Sequence, residues 1–298
     1  MWFTGLLAVL LAGWFLFQPE TRQREVVRLV GSALERDKRV SLIDVAWDLY
    51  QLYYGNDTVA TPHAQDPTAI YGGAPMPVAF PHTVRILANQ GFVTGYCDAL
   101  GNPVWTAYRV RDVSPLPAPR ERPGTFLVDT RTLVKITPED YTQSGFERGH
   151  MAPNYAIATR YGAEAQRQTF LMSNIAPQRR ELNAGLWKEL EMKIATAYPA
   201  RFSEVWVLAG PIFDRQPREL GRGVAIPGAF YMIVIDEAEA GLRAQAFLLP
   251  QELRPDANLS DLRTSIDDIE QRTGLDFLSG LPDEAESVLE RRVTDRVW

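Results

Sequence analysis

The chain has 298 residues, 46% of them hydrophobic and 23% charged, a composition that excludes disordered, collagenous and low-complexity classes. A net charge of −6 gives no chain-wide attraction for nucleic acid or anionic membrane, although residues 101–200, with 13 basic and 10 acidic groups, form the only net basic third. A single cysteine, Cys97, excludes an intrachain disulfide, three histidines (His63, His82, His150) cannot assemble a Cys/His zinc set, and neither a Walker phosphate loop nor a Gly-x-Ser-x-Gly elbow occurs.

From Trp2 to Phe17 the run WFTGLLAVLLAGWFLF has no charge and only Thr4 as a polar side chain, so a helix here would be apolar on every side. This predicts an N-terminal transmembrane or signal-anchor helix within residues 1–20 and a membrane contact through residues 2–17. The absence of a basic n-region and of an A-x-A site favours an uncleaved anchor, with a cleaved signal as the alternative. Residues 21–54 read as helical: Ser41 and Asp44 resemble a capping pair, and Leu42, Val45, Leu49, Leu52 and Tyr53 recur at helical spacing. The Pro-, Gly- and Ala-rich stretch up to residue 81 reads as a linker, giving segments 1–20, 21–81 and 82–298.

From residue 82 the pattern turns to strands. VRILANQGFVTGYC and VWTAYRVRDV form a hairpin around Gly101-Asn102-Pro103, and TFLVDTRTLVKIT reads as a further strand. Helix-compatible runs follow at 162–171 and 182–197, strands resume at SEVWVLAGPIF, VAIPGAFYMIVID and RAQAFLLP, and two helices close the chain in DLRTSIDDIEQRTG and DEAESVLERR. Segregated runs of strands and helices argue for a layered α+β domain.

The chemistry-bearing residues lie in Phe146-Glu147-Arg148-Gly149-His150-Met151-Ala152-Pro153-Asn154, in Phe170-Leu171-Met172-Ser173-Asn174-Ile175-Ala176-Pro177-Gln178, and from Leu182 to Glu191. A neutral imidazole accepts a water proton near pH 7, a hard divalent cation prefers oxygen donors, and a guanidinium matches phosphate oxygens, so the set suits phosphodiester chemistry. Asn183, Trp187 and Glu191, spaced i, i+4, i+8, would share one helix face.

These segments resemble the DNA/RNA non-specific endonucleases, the ββα-metal group that includes endonuclease G and secreted bacterial sugar-non-specific nucleases. The hallmarks are a D-R-G-H block, an S-N-x-x-P-Q block and an L-N-x-x-x-W-x-x-L-E helix, and the likeness runs from about Val84 to Glu290. The resemblance implies an α+β, ββα-metal fold with a mainly antiparallel sheet flanked by helices. It also implies hydrolysis of DNA and/or RNA to 5′-phosphate ends with one Mg²⁺ or Mn²⁺, and a homodimer. His150 then matches the general base, Asn183 the metal ligand, Glu191 a metal contact through water, Asn174 the asparagine supporting the site and Arg148 the arginine beside the base, which would also meet substrate. The net basic middle third separately makes Arg179 a candidate substrate contact. Arg160, Arg167 and Arg180 are further candidates for a basic track.

The chain departs from the family pattern at Glu147, where an Asp is usual, and at Ala195, where relatives often carry an Arg. A further family arginine falls among Arg120, Arg122 and Arg131 without assignment. The rival readings are a catalytically impaired nucleic-acid-binding module, a membrane-anchored scaffold and a small-nucleotide phosphoesterase. Because a free non-specific nuclease would attack the cell's own nucleic acid, the domain is expected outside the cytoplasm, in a periplasm or similar compartment; Arg22, Arg24 and Arg28 after the apolar run pull the other way.

Overall fold

In the computed structural model the described residues are 12–34, 40–54, 59, 69–238 and 241–298. The first part of the Trp2–Phe17 anchor expectation lies outside them; residues 12–16 are helical, and no helix among the described residues is long and apolar enough to cross a membrane. Two helices then follow, α1 (Glu20–Leu34) and α2 (Leu42–Tyr54). Ser41 caps α2 as its sequence suggests, its hydroxyl accepting from the Asp44 amide at 3.1 Å while the Asp44 carboxylate accepts from Ser41.

The centre is a seven-stranded antiparallel sheet in the order β1 (Arg85–Asn89), β2 (Phe92–Cys97), β3 (Asn102–Arg111), β6 (Glu204–Ile212), β9 (Ala229–Ala238), β10 (Gly241–Pro250) and β11 (Arg263–Thr264). Outside it stand two short ladders, β4 (Glu147–His150) with β5 (Ile175–Gln178), and β7 (Glu219–Leu220) with β8 (Val224–Ala225). The central strands read as nearly unbroken apolar runs because both faces are covered. Val207, Phe230, Met232 and Phe247 point to one core, with Met151, Ala152, Trp187 and Leu190. Trp206, Tyr231, Ile233 and Ala246 point to the other, with Ile266, Ile269, Phe277 and Leu289.

The first face carries α3 (Asn154–Thr169), α4 (Arg180–Asn183) and α5 (Leu186–Phe202); the second carries α6 (Ile266–Thr273) and α7 (Asp283–Arg291). The mixed α and β architecture with a large antiparallel sheet therefore matches expectation, and several local readings change. TFLVDTRTLVKIT is not a strand: only Leu127 bridges, to Leu171, while Asp129 draws the backbone into a turn by accepting from the Arg131 amide at 2.9 Å. The helix expected at 162–171 begins at Asn154, and Gly162 (φ 89°) joins its two halves. The run expected at 182–197 is two helices, broken at Ala184 and Gly185, and the last pair starts at Ile266 because Ser265 is the N-cap. Described residues of the expected linker pack on the domain: Tyr71 is buried against Trp206, and Met76 bridges Asp276.

Candidate active site

The β4/β5 ladder sets Glu147 opposite Gln178, Arg148 opposite Pro177, Gly149 opposite Ala176 and His150 opposite Ile175. Alternation along β4 puts Arg148 and His150 on one side, and both meet the Phe126 ring, the imidazole at 5.5 Å and the guanidinium at 5.6 Å. Phe170 closes on the imidazole edge at 4.9 Å. Gly149 has no side chain for a steric reason, since a Cβ there would collide with the Gln178 amide. His150 is buried with Nε2 lacking a hydrogen-bond partner, and burial, reinforced by the positive charge of Arg122, pushes its pKa down to about 3. The imidazole is therefore neutral throughout the physiological range.

Asn174 is fully buried and engaged. Its Oδ1 accepts from the Ala152 amide at 2.9 Å, its Nδ2 donates to the Ala152 and Thr169 carbonyls, and its own carbonyl accepts from the Met151 amide. It fixes the turn that follows His150 and is covered by those backbone partners on every side.

The break at Gly185 alters the expected helix face. Asn183 ends α4, whereas Trp187 and Glu191 sit one turn apart on α5. The Trp187 indole N–H donates to Glu191 Oε1 at 2.9 Å and lies 3.3 Å from the His150 carbonyl, tying the carboxylate to the end of β4. Burial pushes Glu191 up to about 8, against the lowering effects of the Trp187 bond and of Arg122 and Lys188. Asn183 Nδ2 donates to Glu147 Oε2 at 2.8 Å, and Arg180 reaches the other oxygen at 3.1 Å. Glu147, read in the sequence only as a departure, thus turns the Asn183 amide so that Oδ1 is left for another partner. Gln178 also went without a role; it is fully buried and neither amide atom is hydrogen-bonded in the structure.

The arginines separate clearly. Arg131 is held by Asp129 at 2.6 Å, the Ala88 carbonyl and Asn89. Arg122 is exposed, lies over the Phe170 ring at 5.2 Å, and acts electrostatically on both His150 and Glu191. Arg148 donates to the Pro138 carbonyl, and its Nε is buried without a partner. Arg179 lies over the Phe146 ring at 4.4 Å, donating to the Gly145 carbonyl with Glu252 beyond, so it braces the loop before β4. Of the other track candidates, Arg160 is bonded to the Arg111 and Ala195 carbonyls, Arg167 to Glu164 and Arg180 to Glu147. Ala195 is buried in the core.

The DNA/RNA non-specific endonuclease family matches residues 74–284. The mitochondrial nuclease EXOG of Danio rerio is 31% identical over 206 residues, 63% of this chain and 59% of that protein, and the Homo sapiens EXOG is 33% identical over 159 residues, 48% and 42% respectively. A nuclease of Serratia marcescens is 29% identical over 201 residues, 63% of this chain and 73% of its own. The match therefore spans about half the length of the mitochondrial relatives. A crystal structure of the EndoG/EndoGI complex, 21% identical, shares the fold with a TM-score of 0.61 over 74% of this chain and 96% of that one. This chain belongs to the DNA/RNA non-specific endonuclease family.

Proposed function

We propose that the protein is a metal-dependent endonuclease that hydrolyses phosphodiester bonds of DNA and RNA without sequence preference, leaving 5′-phosphate ends. The observation that carries this reading is the buried, neutral His150, with an unpartnered Nε2, held by Trp187 beside the Glu191 carboxylate and facing the charge of Arg122. The names of its relatives, nucleases in every case cited, support it.

The donor set fits a hard divalent cation such as Mg²⁺ or Mn²⁺. Glu147 engages the Asn183 N–H and leaves Oδ1 as an oxygen donor, and the Trp187 bond to Oε1 leaves Glu191 Oε2 to order a water. Asn183 would hold the ion directly and Glu191 through water, and the bound cation would supply Lewis-acid stabilisation of charge on the phosphate and the departing oxygen. His150 accepts the proton of the attacking water, the new P–O bond forms as the bond to the 3′-oxygen breaks, and Arg122 and Arg148 oppose the charge on the phosphate oxygens. Contacts confined to phosphate explain low sequence preference. The apolar run Trp2–Phe17 extends the proposal to a membrane-anchored domain outside the cytoplasm, which protease protection of intact spheroplasts would check.

The test is digestion of supercoiled plasmid and single-stranded RNA by the full chain with Mg²⁺, with Mn²⁺ and with EDTA, alongside His150→Ala. Cutting that needs the metal and is lost in the variant is expected. Folded protein that binds nucleic acid and cuts with neither metal would replace the proposal with a binding module.

A further inference from the structure

A second set of oxygen donors lies on the opposite face of the sheet. There α6 and α7 pack through Ile266, Ile269 and Leu289, whereas Trp187 belongs to the core of the other face. Asp267 and Glu270 on α6, Asp276 in the connection and Glu286 and Glu290 on α7 converge between the two helices. Ligand oxygens of Asp267, Glu270 and Glu290 all lie within 4.8 Å of one another, and so do those of Asp276, Glu286 and Glu290, making Glu290 common to both sets. The spacing explains the convergence: i, i+3 on α6 and i, i+4 on α7 each align two carboxylates on one helix face.

Acidic groups gather on many surfaces without a ligand, but Glu290 is not a surface group. It is 7% exposed, and its Oε1 is buried with no hydrogen-bond partner. Buried carboxylate oxygens are otherwise met by donors or cations. Among the described residues no Lys or Arg pairs with any of the five, and the nearby Arg272 is paired with Asp268 at 3.0 Å. The surroundings are fixed rather than adaptable. Glu270 Oε1 accepts from the Phe277 amide at 2.7 Å, and the Asp276 backbone exchanges two hydrogen bonds with Met76, each 2.8 Å.

We propose that the cradle between α6 and α7 binds one hard divalent cation, Ca²⁺, with Glu290 as the central ligand and Glu270, Glu286, Asp276 and Asp267 around it. Ca²⁺ is favoured over Mg²⁺ because it accepts six to eight oxygens in flexible geometry, whereas Mg²⁺ keeps its waters and takes one or two carboxylates. The ion would clamp the two C-terminal helices to each other and, through Asp276, to the strand-like contact at Met76.

The test uses the full chain carrying Asn183→Ala, so that the candidate catalytic metal site does not contribute. Isothermal titration with CaCl₂ at pH 7.5 should show one site per chain, and thermal unfolding should shift upward with Ca²⁺. Adding Glu290→Gln, or separately Glu270→Gln with Glu286→Gln, should weaken binding by at least about tenfold, the lower end of what loss of even an outer-shell partner does. In EDTA Glu290→Gln should unfold no earlier than its parent, since it replaces a buried carboxyl oxygen that has no hydrogen-bond partner. Absence of saturable Ca²⁺ binding in the folded parent, or binding unchanged in both variants, would overturn the proposal, and Mg²⁺ binding as tight as Ca²⁺ would overturn the assignment of the ion.

Discussion

Asn183 donates its side-chain N–H to Glu147 at 2.8 Å, across the gap between the end of α4 and the start of β4. This bond decides which end of the amide faces outward, so on the proposed reading, in which Asn183 holds a cation, Glu147 is what presents an oxygen rather than a nitrogen to it. Glu147→Ala should therefore raise the Mg²⁺ concentration needed for half-maximal plasmid cutting by about 10–100-fold, the range seen when ligand-orienting partners are lost. Glu147→Asp, one methylene shorter, should fall between. Metal titrations at saturating DNA read this directly, and an unchanged metal requirement in Glu147→Ala would remove the orienting role.

His150 carries two consequences. On the proposed role as general base, its replacement by alanine should lower kcat by about 10²–10⁴-fold with the fold retained. Its folded pKa, down at about 3 through burial and Arg122, lies below the unfolded 6.5, so between those values the unfolded chain takes up a proton that the folded one refuses. Stability linked to this group is thus whole above pH 6.5 and lost as the pH falls toward 3. Urea midpoints at pH 7.5 and pH 5 should drop less in His150→Gln than in the parent. An equal drop in both would mean that the imidazole is not held neutral.

The parts of this arrangement that were legible in sequence are those written locally. The order of strands and terminal helices follows hydrophobic period, the Ser41–Asp44 cap follows spacing, and the blocks around His150, Asn174 and Asn183 carry the family pattern. What escaped depends on specific atomic contacts that hydrophobic period does not encode. Periodicity ran Asn183 into α5 because Ala184 and Gly185 look helix-compatible; the break follows from close backbone approach, a Cβ on Gly185 running into the Glu181 carbonyl. Phe126, the ring shared by Arg148 and His150, lay in a segment read as a strand. Arg120, Arg122 and Arg131 look alike in sequence, and only Asp129 and Asn89 show which of them is already occupied.

The N-terminal helices are joined to the domain by a buried ion pair. Arg201 on α5 meets Asp48 on α2 at 2.6 and 2.7 Å, with the two side chains 1% and 5% exposed. Asp48→Ala leaves the guanidinium buried and unpaired, and should cost about 3–5 kcal/mol in urea unfolding. Arg201→Met in the same chain should recover much of that loss, because the cost comes from the orphaned charge more than from the absent bond. A loss below about 1 kcal/mol for Asp48→Ala, the scale of exposed pairs, would show that α2 does not stay docked in solution.

Arg122 and Arg131 make the sharpest contrast in the site. Arg122 is exposed beside the imidazole and sends its charge to both His150 and Glu191, whereas Arg131 spends its guanidinium on Asp129, Ala88 and Asn89. If Arg122 meets a phosphate, Arg122→Ala should raise KM for DNA and lower the slope of log affinity against log salt by about 1, with the same loss on every sequence. Removing its charge should also raise the His150 pKa, because a nearby cation disfavours the imidazolium, and an NMR titration of the ring would follow that shift. Arg131→Ala should instead leave the salt slope nearly unchanged and lower stability measurably, since it leaves the buried Asp129 without its cation. A salt slope that moves with Arg131 and not with Arg122 would transfer the phosphate contact from one to the other.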